Sequence, residues 1–232
     1  MHRSVERLGS LVAAGPLALL LAVAVSACGL IGRAGEGPLT SETRPVTGLS
    51  RVDASNGIGV TVQIGQTTSV EVSAQANILP IIATTVEGGT LKIRSTEGFS
   101  ASAGVGVTVV MPVLDAITLS GGSQGVVEGI TADRFEITMD GGANLTASGR
   151  ATTITLRVSG GAVARLESLT AQTVNLQVSG GANVTVRASA EVAGTADGGA
   201  RDRAGRRHPE RGNLGRSERL PRLIPGGLSL SA

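Results

Sequence analysis

The sequence predicts an all-β fold over residues 48–200, a single-domain β-solenoid that resembles a β-helix. Two observations carry this prediction. Pairs of adjacent glycines recur at intervals of 18 to 20 residues, and apolar residues alternate with polar ones between these pairs. A fixed period of about 20 residues is typical of a solenoid, in which each coil buries its apolar face against the next coil. The pairs begin at Gly121, Gly141, Gly160, Gly180 and Gly198.

The segments between glycine pairs are predicted to be strands with one buried face. Apolar and polar residues alternate in residues 135–139, 154–158 and 174–178, and this period of two places the apolar side chains on one side of a strand. The chain has only two aromatic residues, Phe99 and Phe135. The core must therefore be mainly aliphatic, with many β-branched residues that favour strands. We expect Phe135 to be buried, because it alternates with core residues.

The glycine pairs are predicted to mark corners, where the chain turns and successive coils lie closest. Glycine permits a positive φ, and short polar side chains favour turns by bonding to nearby backbone. We expect each strand to pair in parallel with its equivalent in the next coil, about 4.8 Å away. The residue before each pair is Ser120, Asp140, Ser159, Ser179 or Asp197.

The first part of the domain is less regular. Residues 48–112 are rich in strand-like alternation but have no glycine period, which predicts wider coils that cap one end of the solenoid. Residues 66–68 and 87–90 are rich in turn-forming residues. We expect a hairpin turn at each of these two places.

The N-terminus is predicted to be a lipoprotein signal peptide over residues 1–27. A basic start and an apolar run over residues 11–25 are typical of an export signal. The run is followed by the lipobox Val25, Ser26, Ala27 and then Cys28, the only cysteine of the chain. We expect lipid on Cys28 to anchor the protein to a bacterial membrane, since two or more acyl chains anchor stably. The alternative is an ordinary signal peptide with a buried cysteine.

Two flanking segments are predicted to lie outside the folded domain. Residues 28–47, rich in Gly, Pro and polar residues, are interpreted as the lipidated cysteine and a flexible tether. Residues 201–232 form an arginine-rich tail without alternation, which predicts disorder. The alternative for this tail is a shift of the reading frame, since one permitted choice of codons restores a strand pattern.

Charge and residue types exclude several functions. Eight of the 20 basic residues lie in residues 201–222, so residues 29–200 are acidic overall and contain one lysine, Lys92. A nucleic-acid partner is not expected, because it requires clustered Lys or Arg on the domain. The two histidines, His2 and His208, lie outside the domain. Catalysis by Ser–His–Asp or Cys–His sites and the usual zinc sites are therefore excluded, and we predict no catalytic residue, metal or cofactor.

The carboxylates also have structural explanations. Asp140 and Asp197 precede glycine pairs and would lie about 14 Å apart, too far for a glycosidase pair, so both are interpreted as turn caps. Arg157 and Arg165 could lie near Glu167, which predicts a solvated salt bridge rather than a lyase site. Calcium repeats need an aspartate in every turn, and most of these turns have serine.

The order of the segments resembles a known family. The stretch GLSRVDASNGIGVTVQIGQTTSVEVSA, then VEGGTLKIRS, then VTVVMPVLDAITLSGGSQGVVEG and the serial SGGA repeats are similar to the putative auto-transporter adhesin, head GIN domain family. The resemblance covers residues 46–200. It implies a bacterial envelope protein with a solenoid-like domain, secreted or lipid-anchored, and it supplies no catalytic residue.

These observations predict a non-enzymatic envelope protein whose domain lies outside the cytoplasm. Its partners would be the membrane, through the lipid on Cys28, and an unknown envelope or extracellular ligand bound by the solenoid surface. One alternative is a solenoid enzyme that acts on polysaccharide. Another is a truncated member of the family without activity.

Overall fold

The computed structural model describes residues 32–196 and, as backbone only, residues 228–231. The described residues form strands and one 3₁₀ turn at Leu79–Ile81, with no α-helix among them, so the predicted all-β class is confirmed. The strands are β1 (Arg33–Ala34), β2 (Leu39–Arg44), β3 (Arg51–Ala54), β4 (Gly59–Ile64), β5 (Ser69–Gln75), β6 (Ile82–Glu87), β7 (Thr90–Ser95), β8 (Phe99–Ser100), β9 (Gly106–Met111), β10 (Ala116–Leu119), β11 (Gln124–Met139), β12 (Asn144–Val158), β13 (Val163–Val178), β14 (Asn183–Ala196) and β15 (Leu228–Ser231).

Thirteen of the described strands form one sheet. The longest path through it runs β15-β14-β13-β12-β11-β10-β3-β7-β6, and β4 pairs with both β11 and β9. The sheet nearly closes on itself like a barrel, so the predicted simple stack of coils describes it only in part.

The long strands β11 to β14 pair in parallel and follow the glycine period. Phe135 is opposite Ile154, Ile154 is opposite Val174, and Val174 is opposite Val192. The offset between partners therefore matches the interval between glycine pairs. The predicted parallel pairing of each strand with its equivalent in the next repeat is confirmed for these strands.

The core is aliphatic, as the composition predicts. Phe135 is fully buried, which confirms its predicted place, whereas Phe99 is only partly buried against the same core. Just after each corner, a small residue is fully buried in the core. These residues are Ser123, Ala143, Ala162 and Ala182.

Ser123 is the polar exception in this row of small residues. It is 0% exposed, and its Oγ has no hydrogen-bond partner among the described residues. A buried hydroxyl without a partner costs free energy, and alanine occupies the equivalent position in the next three repeats. We expect Ser123→Ala to raise the free energy of unfolding by about 1 kcal/mol, measured by urea denaturation.

A second serine provides the control for this measurement. The Ser159 hydroxyl donates a hydrogen bond to Oδ1 of Asp140 at 2.9 Å. Ser159→Ala removes that bond and should lower stability by about 0.5–1.5 kcal/mol. An equal loss of stability in both variants would contradict the interpretation of Ser123.

Three predictions about the flanks and turns need correction. The predicted tether includes β2, which pairs antiparallel with β5 through backbone hydrogen bonds. The predicted disordered tail includes β15, which pairs antiparallel with Asn183–Val186 at the start of β14, while residues 201–227 lie outside the described part.

The hairpin at residues 87–90 is confirmed, because β6 and β7 pair antiparallel. The hairpin at residues 66–68 is wrong, since β9 lies between β4 and β5.

Candidate functional site

The predicted lipid-attachment site lies outside the described residues. Val25, Ser26, Ala27 and Cys28 all precede residue 32, so lipidation stays a prediction. Within the described ranges, no helix has the length and apolar character that a membrane span requires.

Four of the five predicted corners are present and form a continuous stack, and the fifth, at Gly198, lies outside the described residues. A β-carbon added at Gly160 would lie 2.7 Å from the carbonyl oxygen of Gly141, and one at Gly180 would lie 2.9 Å from that of Gly160. Both glycines have φ near +70°. The stack thus needs glycine for its backbone conformation and for the close approach of successive turns.

The first member of this stack is not a glycine. Asn56 has φ of 66°, and a β-carbon on Gly121 would lie 3.2 Å from its backbone nitrogen. Asparagine tolerates this conformation better than most residues do. In the sequence this corner is marked by Ser55-Asn56-Gly57, in which asparagine replaces the first glycine of the pair.

Asp140 caps its turn, as predicted. Its Oδ1 accepts a hydrogen bond from the Gly141 N–H at 2.6 Å and another from the Ser159 hydroxyl at 2.9 Å. Asp197, predicted to cap a later turn, lies outside the described residues.

A row of outward-facing residues runs beside the corners. Thr138 is opposite Arg157, Arg157 is opposite Gln177, and Gln177 is opposite Thr195. This row and the residues at the corner, Asp140, Ser159 and Ser179, line a cleft of about 430 Å³. We call it the corner cleft. Its lining combines one cation, one carboxylate, an amide and several hydroxyl groups.

The predicted salt bridge of Arg157 or Arg165 with Glu167 is not formed. The ion pairs of the described residues are Arg33–Glu97, Arg44–Glu42, Lys92–Glu87 and Arg94–Asp53. Arg157 precedes a corner, where its neighbours across the strands are Thr138 and Gln177. Arg165 follows that corner and is opposite Thr146 and Thr185. Both arginines are exposed.

Charges at the far end of the sheet are paired, in contrast to those of the corner cleft. Arg94 donates a hydrogen bond to Asp53 at 2.7 Å. On the hairpin of β6 and β7, which also carries Arg94, a hydrogen bond from Lys92 and the charge of that group hold the pKa of Glu87 below its usual range. In the part of the chain that the structure describes, no group of three His, Cys, Asp or Glu could hold a metal ion.

Three solved structures from Bacteroides and Parabacteroides species have the same fold. A putative adhesin from Bacteroides fragilis NCTC 9343 is 17% identical, with a TM-score of 0.58, and the match covers 72% of this chain and 88% of that one. A putative adhesin from Parabacteroides merdae ATCC 43184 is 12% identical, with a TM-score of 0.53 and coverage of 72% and 79%. One from Parabacteroides distasonis ATCC 8503 is 17% identical, with a TM-score of 0.50 and the same coverage.

No curated protein matches the chain. The family model described as "Putative auto-transporter adhesin, head GIN domain" matches residues 48–202, which is more than half of the sequence. The predicted resemblance is therefore confirmed, and the chain belongs to the putative auto-transporter adhesin, head GIN domain family.

Proposed function

We propose that this chain is a non-enzymatic binding module of the bacterial envelope, held at a membrane by lipid on Cys28. The observation that carries the proposal is the corner cleft, where rows of polar side chains are held at fixed spacing beside a rigid stack of turns. Membership of an adhesin family supports a role in binding and an extracellular or envelope location.

The connections between long strands support a solenoid as the basis of this surface. Parallel neighbours in a flat sheet need a crossover of a dozen residues or more. Here residues 140–143 alone join β11 to β12, which pair in parallel. Each long strand must therefore bend around the core to return one layer higher. The pairing register of β11 and β12 shifts between Val127 and Ile130, next to Gly129 with its φ of 79°.

The chemistry of the described residues favours binding over catalysis. Residues 32–196 contain neither histidine nor cysteine. The one carboxylate of the corner cleft, on Asp140, already accepts two hydrogen bonds through Oδ1. An acid–base reaction usually needs a second positioned group of suitable pKa.

The lipid anchor is tested by replacing its attachment residue. We expect Cys28→Ala to abolish incorporation of labelled palmitate, because the thioether can no longer form. Intact mass of the native protein should match residue 28 onward plus acyl chains.

A lipobox variant that stays small provides the control. Ser26→Ala keeps a short side chain before the cysteine and should be lipidated normally. A native mass without acyl chains would contradict the anchor.

The binding role is tested by exposing cells and purified protein to surfaces coated with envelope and extracellular polymers. We expect cells that carry the wild-type chain to attach more strongly than cells without it. Purified protein should bind at least one polymer saturably and leave it uncleaved. Turnover of the bound polymer would support the polysaccharide-acting enzyme instead.

A further inference from the structure

We propose that the corner cleft binds a carboxylated sugar of an acidic glycan, with the sugar carboxylate on Arg157. This ligand class rests on the binding function proposed above and specifies where and what the domain binds.

Arg157 supplies the positive charge of the cleft. It is exposed, and it takes part in none of the ion pairs found among the described residues. Oδ1 of nearby Asp140 is occupied by the Gly141 N–H and the Ser159 hydroxyl. The guanidinium thus offers a planar set of donors that matches a carboxylate, which it can bind through two parallel hydrogen bonds.

The neutral groups around Arg157 suit a ligand rich in hydroxyl groups. Thr138, Ser159, Ser179 and Thr195 provide hydroxyls, and Gln177 provides an amide. Each of these side chains can both donate and accept a hydrogen bond, except that the Ser159 hydroxyl already donates to Asp140 and can only accept. Sugar hydroxyl groups can also donate and accept. A carboxylated sugar can therefore bind Arg157 through its carboxylate and the neutral polar side chains through its hydroxyl groups.

The apolar residues of the cleft argue for a glycan over an acidic peptide. Met139, Val158 and Val178 contribute to the lining, but their side chains are at most 2% exposed and belong to the core. The cleft therefore has no apolar pocket for the side chains of a peptide. Its only carboxylate, on Asp140, is held in the turn.

The strands hold these groups in fixed positions. Residues 153–158 pair with residues 173–178 without a break in register, so Arg157 and Gln177 are neighbours one strand spacing apart, about 4.8 Å. The cleft is an open groove of about 430 Å³ on the outside of the strands. The backbone therefore needs little ordering on binding, and only the exposed side chains must be fixed.

Calorimetric titration of the purified chain with tetragalacturonate and with its methyl ester tests the proposal. We expect the acid to bind at least about 10-fold more tightly than the uncharged ester, since a hydrogen-bonded charge pair is lost in the ester. Arg157→Gln should weaken binding of the acid by about 10-fold or more. Arg157→Lys should retain part of the affinity, because it keeps the charge without the planar fork.

Arg165→Gln is the matched control, because Arg165 is also exposed but lies on the other side of the corner. It should bind like the wild type. Urea unfolding of all variants checks that they are folded. If Arg157→Gln does not fold, Arg157→Lys takes its place in the comparison.

Several results would overturn the assignment. These are equal binding of acid and ester, wild-type affinity in Arg157→Gln, or Arg157-dependent binding of poly-glutamate in place of sugars. Absence of saturable binding to tetragalacturonate, a hyaluronan tetrasaccharide and sialyllactose would do the same. If the chain still promotes cell attachment in that case, the binding function stands and only the ligand class fails. If attachment is also lost, both fail.

Discussion

Replacing Phe135 with alanine is expected to lower the free energy of unfolding by about 3–5 kcal/mol. Phe135 is fully buried and is the largest side chain of the core. Phe135 lies on β11, and β11 pairs with β10 on one side and with β12 on the other. These strands cannot close around the space left by the ring without disturbing their pairing. Most of the penalty for a cavity should therefore remain.

The other aromatic residue provides the control. Phe99 is only partly buried, so Phe99→Ala removes less apolar surface from the core and should cost about 1–2 kcal/mol. Urea unfolding of both variants measures the difference through the transition midpoint. Equal losses would mean that the interior around Phe135 is loosely packed, contrary to the structure.

Gly160→Ala is expected to cost about 2–5 kcal/mol, from two separate effects. An L-residue at φ of +70° is strained by about 1–2 kcal/mol. In addition, the new β-carbon would lie 2.7 Å from the carbonyl oxygen of Gly141 and 3.0 Å from its nitrogen. Backbone atoms cannot rotate away, so the repeats must separate locally, at a cost of about 1–3 kcal/mol.

Gly122→Ala isolates the first of these effects. Gly122 has a φ of +83°, but a β-carbon there would meet no atom within 4 Å. This variant should lose only about 1–2 kcal/mol. If both variants lose the same stability in urea, close contact between successive turns contributes nothing, and the corner stack is held by the strands alone.

The sequence was sufficient for features that depend on local patterns. The corner at Gly160 follows from a glycine pair that recurs at a fixed interval, and the buried position of Phe135 follows from period-two alternation. The role of Asp140 as a turn cap follows from its position directly before a glycine pair. Each of these inferences needs only residues that are close in the chain.

Features set by distant pairing were missed. Strand β2 has mostly exposed side chains and forms through backbone hydrogen bonds with β5, which no side-chain pattern reports. The same holds for β15, a strand of four residues far from its partner in sequence. The corner cleft could not be derived either. Whether Arg157 meets an acid or Gln177 depends on the pairing register, and that register appears only in the folded sheet.

The corner stack has a consequence for how domains of this kind can change in length. Successive turns contact each other through backbone atoms. In β11 to β13, paired residues are separated by about 20 positions in the sequence. One repeat of about 20 residues could be duplicated or removed there. The repeats that then become neighbours would make the same strand pairing and the same contacts between turns. The ends of the molecule would keep their contacts. In the solenoid proposed above, the exposed face can therefore be lengthened in steps of about 4.8 Å without redesign of the core.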